Sequence, residues 1–186
     1  MNRYDIIVQA ALEAGAAKAE IIPQGQIVLS GEFYKICESN ACGNYGRCWM
    51  CPPDIGPVEA LMERVRAYPF AMVYQTIGTL EDSFDIEGMQ DAARHHARVS
   101  QRVQAAVAPL VQPGCFHLSC GGCNLCERCA KIENKPCRLP DKALIPLEGA
   151  GVDVYNTVKD TQLKYINGQN TVTYFGMVLF EEKKDA

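Results

Sequence analysis

Apolar positions recur along the chain with two different periods, and the two periods mark out its elements. Residues 3–15 have the amphipathic spacing of a helix and run into Gly15, a residue suited to a helix end. Two short β-like segments are expected at 19–22 and 26–29, separated by Pro23-Gln24-Gly25. Pro57 suits the first turn of a second helix, in which Val58, Leu61, Met62 and Val65 share one face. Residues 70–77 form a near-continuous apolar and β-branched run, the pattern of a buried strand. A long helix is expected from 86 to about 108, its apolar stripe passing through Met89, Ala93, His96, Val99, Val103 and Val107. Pro109 should end it, since proline has no amide hydrogen to continue the ladder. Further on, the pattern predicts a short strand at 115–119, a short helix at 141–147, a strand or turn at 152–154, a helix at 160–165 and a closing strand at 171–180. Alternation of helix and strand favours an α/β fold, a layered sheet-and-helix domain spanning 1–186, with cysteine-rich loops at 37–53 and 115–140 at one end of the sheet.

Composition narrows the class. The chain has 186 residues, 48% hydrophobic and 22% charged, with a formal net charge of -4. That length can bury a core of its own, and the balance is that of a globular protein. An acidic chain lacks the basic footprint of a nucleic-acid binder. No apolar run approaches the roughly 20 residues that cross a bilayer, so no membrane partner is expected. The first residues show an early acid and no apolar signal core, so the expected location is cytoplasmic.

Ten cysteines change the picture. In a reducing compartment, clustered thiols bind metal or do chemistry more often than they form disulfides. Four lie between Cys37 and Cys51, six between Cys115 and Cys137, and none in between. In the second array Cys120, Cys123, Cys126 and Cys129 are separated by three successive two-residue gaps, and Lys135-Pro136-Cys137-Arg138-Leu139-Pro140 follows. Such gaps let neighbouring thiolates address the corners of an iron-sulfur cube, with a distant cysteine taking the last corner. A mononuclear zinc site more often uses separated pairs. The first array, Cys37, Cys42, Cys48 and Cys51 followed by two prolines, fits a cluster loop, although a four-cysteine zinc site has comparable spacing. The cofactor expectation is therefore a 4Fe-4S cluster, two of them in all, with zinc as the alternative. Buried structural cysteines would not repeat at two-residue intervals.

Cys42-Gly43-Asn44-Tyr45-Gly46-Arg47 with Trp49-Met50-Cys51-Pro52-Pro53, the Cys123-x2-Cys126-x2-Cys129 run with Lys135 to Pro140, and Leu147-Glu148-Gly149-Ala150-Gly151-Val152-Asp153-Val154 together resemble an uncharacterised prokaryotic family labelled predicted metal-binding proteins and common in anaerobes. The resemblance covers about residue 30 to the end. It implies Cys37, Cys42 and Cys51 in a first site and Cys123, Cys126, Cys129 and Cys137 in a second. Cys48, Cys115 and Cys120 depart from the family pattern. The fourth corner of the first site is then open to three readings: Cys48, Cys120 crossing from the other loop, or no protein residue. A closed cluster mainly carries electrons to a redox partner protein, whereas an open iron binds a small-molecule substrate.

Other candidates have blander readings. His96 falls on an apolar stripe and reads as a core histidine rather than a ligand, and His117 as a strand residue behind Cys120. Arg47, Arg128, Lys131, Lys135, Arg138 and Lys142 gather around the arrays, either compensating thiolate charge or docking an acidic partner. Tyr45 and Trp49 are expected to shield the first site from water. Glu148 and Asp153 are expected to cap a helix or form a turn.

Overall fold

The computed structural model describes residues 2–183. Helix α1 (Arg3–Glu13) opens on a reciprocal capping box, in which Asn2 Oδ1 accepts from the Asp5 amide and Asp5 Oδ2 from the Asn2 amide, both at 2.8 Å. These contacts satisfy two of the amides that a helix start leaves without partners. Gly15, at φ 106°, turns the chain into β1 (Lys18–Pro23). Helices α2 (Glu32–Glu38) and α3 (Val58–Arg66) follow, then β2 (Phe70–Thr79) and the long α4 (Ile86–Val107). The Asp85 side chain caps α4 by accepting from the Gly88 amide at 2.8 Å. Next come β3 (Phe116–Ser119), β4 (Ile145–Pro146), α5 (Val154–Val158) and β5 (Thr171–Phe180).

The result is a mixed α/β fold on one five-stranded sheet of order β1-β2-β5-β3-β4, antiparallel except for the β3/β4 pair. Side chains alternate across the pleat, so β2 serves two layers at once. Met72 and Tyr74 face α1 and α4, where they meet Ile7, Val99, Val103, Val107, Val178 and Phe180. Ala71 and Val73 face the opposite layer, with Leu61 and Val65 of α3, Leu118, Met177, Leu179 and the Leu147 to Leu163 segment. A sheet covered on both faces explains why β2 reads as an unbroken apolar run.

Three sequence expectations are corrected. Residues 26–29 do not form a strand. A single 3-10 turn, Gln24–Gln26, carries the chain out of the sheet, and the segment bonds to the 151–157 turn through Ser30 N to Gly151 O (2.7 Å), Asp153 N to Val28 O (2.8 Å) and Val28 N to Thr157 Oγ1 (3.0 Å). Residues 141–147 are not helical. Pro146 cannot donate within a helix, and the Leu147 amide is drawn to Ser119 O (2.7 Å), so the chain adds β4 beside β3. Residues 160–165 are not helical either. The helix lies earlier, at α5, capped by Asp153, while the amides of Gln162 and Lys164 bond to Glu20 Oε2 (2.8 Å) and Gln75 Oε1 (3.1 Å). Helix α2, which carries Cys37, was not anticipated by the periodicity.

Candidate metal centre

Cys120 lies directly after β3, and the chain between it and β4 holds the rest of the second array. Cys129 is the N-cap of the 3-10 turn Ala130–Glu133. Cys37 sits on α2, and Cys42, Cys48 and Cys51 lie in the irregular segment between α2 and α3. The two irregular segments are locked together. The Trp49 indole N–H donates to Lys135 O at 2.9 Å, the Lys131 ammonium lies 4.2 Å above the Trp49 ring, and Lys131 also pairs with Asp54. At Gly122 the loops come so close that a Cβ would stand 2.6 Å from Asn44 Nδ2.

Four cysteines of the second array share a space with one of the first. Cys48, Cys123, Cys126, Cys129 and Cys137 line one narrow cavity of ≈ 20 Å³, with Trp49, Met50 and Leu139. Trp49, expected to shield the first site, lines this cavity with Cys48 of the first array and four cysteines of the second. Cys48 and Cys51 are buried, with 3% and 6% of their surface exposed, and form a coupled pair. The Cys51 thiol donates to Cys48 and lowers the Cys48 pKa, and the same contact raises that of Cys51. Cys48 also faces the Cys129 thiol and the Cys123 backbone, so it reaches from the first array into the second. Cys51 in turn feels Cys42 and Cys37.

Elsewhere burial dominates. It pushes the Cys123 thiol up to about 11, with neighbouring Cys48, Cys137 and Cys126 adding to the rise, and it raises Cys37 and Cys120. These thiols are protonated near neutrality, and a metal would have to displace those protons. Among the described residues no three His, Cys, Asp or Glu side chains converge as ligands of a single metal ion. Cys123, Cys126, Cys129 and Cys137 nevertheless line one cavity, and thiolates are soft donors of the kind that soft metals take.

Cys115 packs beside the α1/α4 core, and the residues lining the cleft at its side include no other cysteine. Of the basic residues near the arrays, Lys131 pairs with Asp54, while Lys135 and Arg138 lie 2.8 Å and 3.8 Å from Glu133. His96 is a core histidine, 1% exposed, with Nδ1 2.9 Å from Thr76 Oγ1. His117 Nε2 lies 2.8 Å from Tyr74 Oη, which is 2.7 Å from Ser100 Oγ, so a buried polar chain runs behind β3. Asp153 caps α5 as expected. Glu148 caps nothing: its Oε1 accepts the Gly121 amide at 2.7 Å, tying the 147–151 turn to the second array, and burial raises its pKa. Its charge is felt by both Cys37 and Cys120. Sequence reading expected a cap or turn at Glu148, and a turn is there, with the Gly151 amide bonded to Glu148 O at 3.1 Å; the bond to Gly121 was not anticipated.

A family model described as a predicted metal-binding protein, DUF2284, matches residues 20–180. The chain belongs to that family. The match starts about ten residues before the stretch that the motifs alone suggested, and it takes in most of β1, the rest of the sheet and both cysteine arrays. No curated protein and no solved structure matches the chain. Membership in DUF2284 makes this a predicted metal-binding protein, consistent with its gathered thiols. Among the described residues no helix is long and apolar enough to cross a membrane.

Proposed function

We propose that this protein carries two 4Fe-4S clusters and passes single electrons to or from a redox partner protein in the cytoplasm. The observation that carries the reading is the cavity lined by Cys48, Cys123, Cys126, Cys129 and Cys137, together with the contacts that Cys48 of the first array makes with its neighbour Cys51 and with Cys129 of the second array. Cys123, Cys126, Cys129 and Cys137 would hold one cluster, and Cys37, Cys42 and Cys51 the other, with Cys48 or Cys120 as candidates for its fourth position. Bound there, a cluster supplies a reversible one-electron couple. The protein's own contribution is to set two donor groups side by side and to keep water from the second through Trp49, Met50 and Leu139. Anaerobic purification followed by iron and sulfide analysis and electron paramagnetic resonance tests this. About eight iron and eight sulfide per chain are expected for two such clusters, and about half of each in Cys126→Ala. A colourless protein holding stoichiometric zinc, purified without air, would overturn it in favour of a zinc-stabilised interaction module.

One observation favours a second reading, an enzyme with an open iron that acts on a small substrate. Cys48 faces Cys129 and Cys123 of the second array, which leaves three cysteines to the first. Replacing Cys48 and Cys120 separately by alanine separates the two readings. If neither change alters the iron content or the resonance spectrum, neither cysteine closes the first site.

A further inference from the structure

Beside the turn that holds Glu148 lies an open groove of ≈ 340 Å³. Phe33, Tyr155, Tyr165 and Phe175 contribute rings to it, and Cys120 and Glu148 line it as well. The rings are arranged as two walls. Tyr165 stacks on Phe175 at 5.9 Å with 15° between planes, and Tyr155 stands almost perpendicular to Tyr165, at 5.6 Å and 88°. Tyr155 and Tyr165 nevertheless remain 58% and 50% exposed. Large rings held in fixed relation to each other and left open to solvent mark a surface shaped to receive something.

The charge in the groove points to what that is. Glu148 is partly buried and receives the Gly121 amide, but no Lys, Arg or His lines the groove among the described residues. The other carboxylate there, Asp153, is occupied at α5, accepting from the Asn156 amide at 3.0 Å and from its Nδ2 at 2.7 Å. A carboxylate drawn out of water without a cation beside it is costly, and the cost is offset when a ligand brings the cation. Aromatic faces attract the same charge through their quadrupoles.

We propose that this groove binds a small organic ammonium ion, its charge against Glu148 and its carbon substituents against Tyr155 and Tyr165. The ligand would lie next to both arrays, because Phe33 is one helical turn from Cys37 on α2 and Cys120 of the second array borders the groove. The site is made entirely by the folded chain and does not rest on the iron-sulfur reading.

Calorimetric titration of the anaerobically purified protein with benzylammonium and with neutral benzyl alcohol is the test. Benzylammonium should bind about tenfold more tightly than the alcohol. Glu148→Gln should abolish that preference, and Tyr155→Leu, at an exposed position that leaves the Gly121 contact intact, should weaken benzylammonium by about threefold to tenfold. Equal affinities for the two probes, or no benzylammonium binding at millimolar concentration, overturn the proposal, as does an unchanged preference in folded Glu148→Gln. Iron and sulfide measured in the same samples keep the two claims apart: a cluster-free protein that prefers benzylammonium supports the groove while sinking the iron reading.

Discussion

Between Ala71 and Thr76 six successive residues are buried, whereas the segment from Ser39 to Arg47 is almost wholly at the surface and the second cysteine loop, from Gly121 to Ala143, buries only Ala130. The helix-backed sheet is held by apolar area removed from water, at roughly 25 cal/mol per Å². The loops have little of that, and depend on single contacts: Trp49 to Lys135 and Lys131 to Asp54 between them, and Arg138 to the Arg128 carbonyl within the second. Regions stabilised so differently should respond differently to the same perturbation. A folded scaffold can therefore present metal-binding segments whose own order depends on what they bind.

The sharpest way to break that contrast is in the sheet. Met72 is fully buried against α1 and α4, so Met72→Ala should cost about 2–5 kcal/mol in chemical denaturation, by the same amount with or without chelator. Chelation alone should leave the far-ultraviolet dichroism in place and raise hydrogen exchange in 39–56 and 121–143. Loss of the sheet on chelation would show that the contrast is mistaken.

A smaller effect is expected at Gly176. A Cβ there would collide with the Tyr74 ring, which lies across the glycine on the neighbouring strand. Gly176→Ala should destabilise by about 1–3 kcal/mol and displace Tyr74 from Ser100 and His117, a change visible in the His117 ring resonances.

Acid should act on the same layer. Burial holds His96 down to about 4 and His117 to about 3, from an ordinary 6.5. Between those values the unfolded chain takes up protons that the folded chain refuses. Stability is thus complete above about pH 6.5 and falls as the pH drops through 5 and 4, by about 1–3 kcal/mol per histidine. His96→Gln should flatten that slope in denaturation midpoints measured from pH 7 to 4.

In the loops, Lys131→Ala would leave Asp54 without its cation, and Asp54 Oδ2 is already buried without a partner. The cost, about 1–2 kcal/mol, should appear as faster exchange at 49–56 and 129–137 and not in the unfolding of the sheet. The smallest effect belongs to the exposed pair Lys35 and Glu32, where Lys35→Ala should leave the denaturation midpoint unchanged within error.

Much of the scaffold was legible from local pattern. The run at 70–77, the stripe from Met89 to Val107 and the closing strand at 171–180 each bury a face, and a buried face imposes its period on the sequence. The cysteine spacing was legible as well, because a repeat at two-residue intervals is a local pattern that needs no tertiary structure to be seen. The segments that misled, 26–29, 141–147 and 160–165, are those whose amides bond to partners far along the chain, such as Val28 to Thr157 or Lys164 to Gln75.

The sequence by itself determined a layered α/β scaffold, two cysteine arrays and membership in a metal-binding family, because each rests on periodicity or spacing within a few residues. Only the tertiary structure decided that Cys48 leans toward the second array, that Trp49 lines the cavity they share, and that Glu148 joins Gly121 beside an aromatic groove. Those relations join residues tens of positions apart through single side-chain contacts. Such contacts impose no repeat on the chain, so they become visible only once the sheet has brought both loops to the same place.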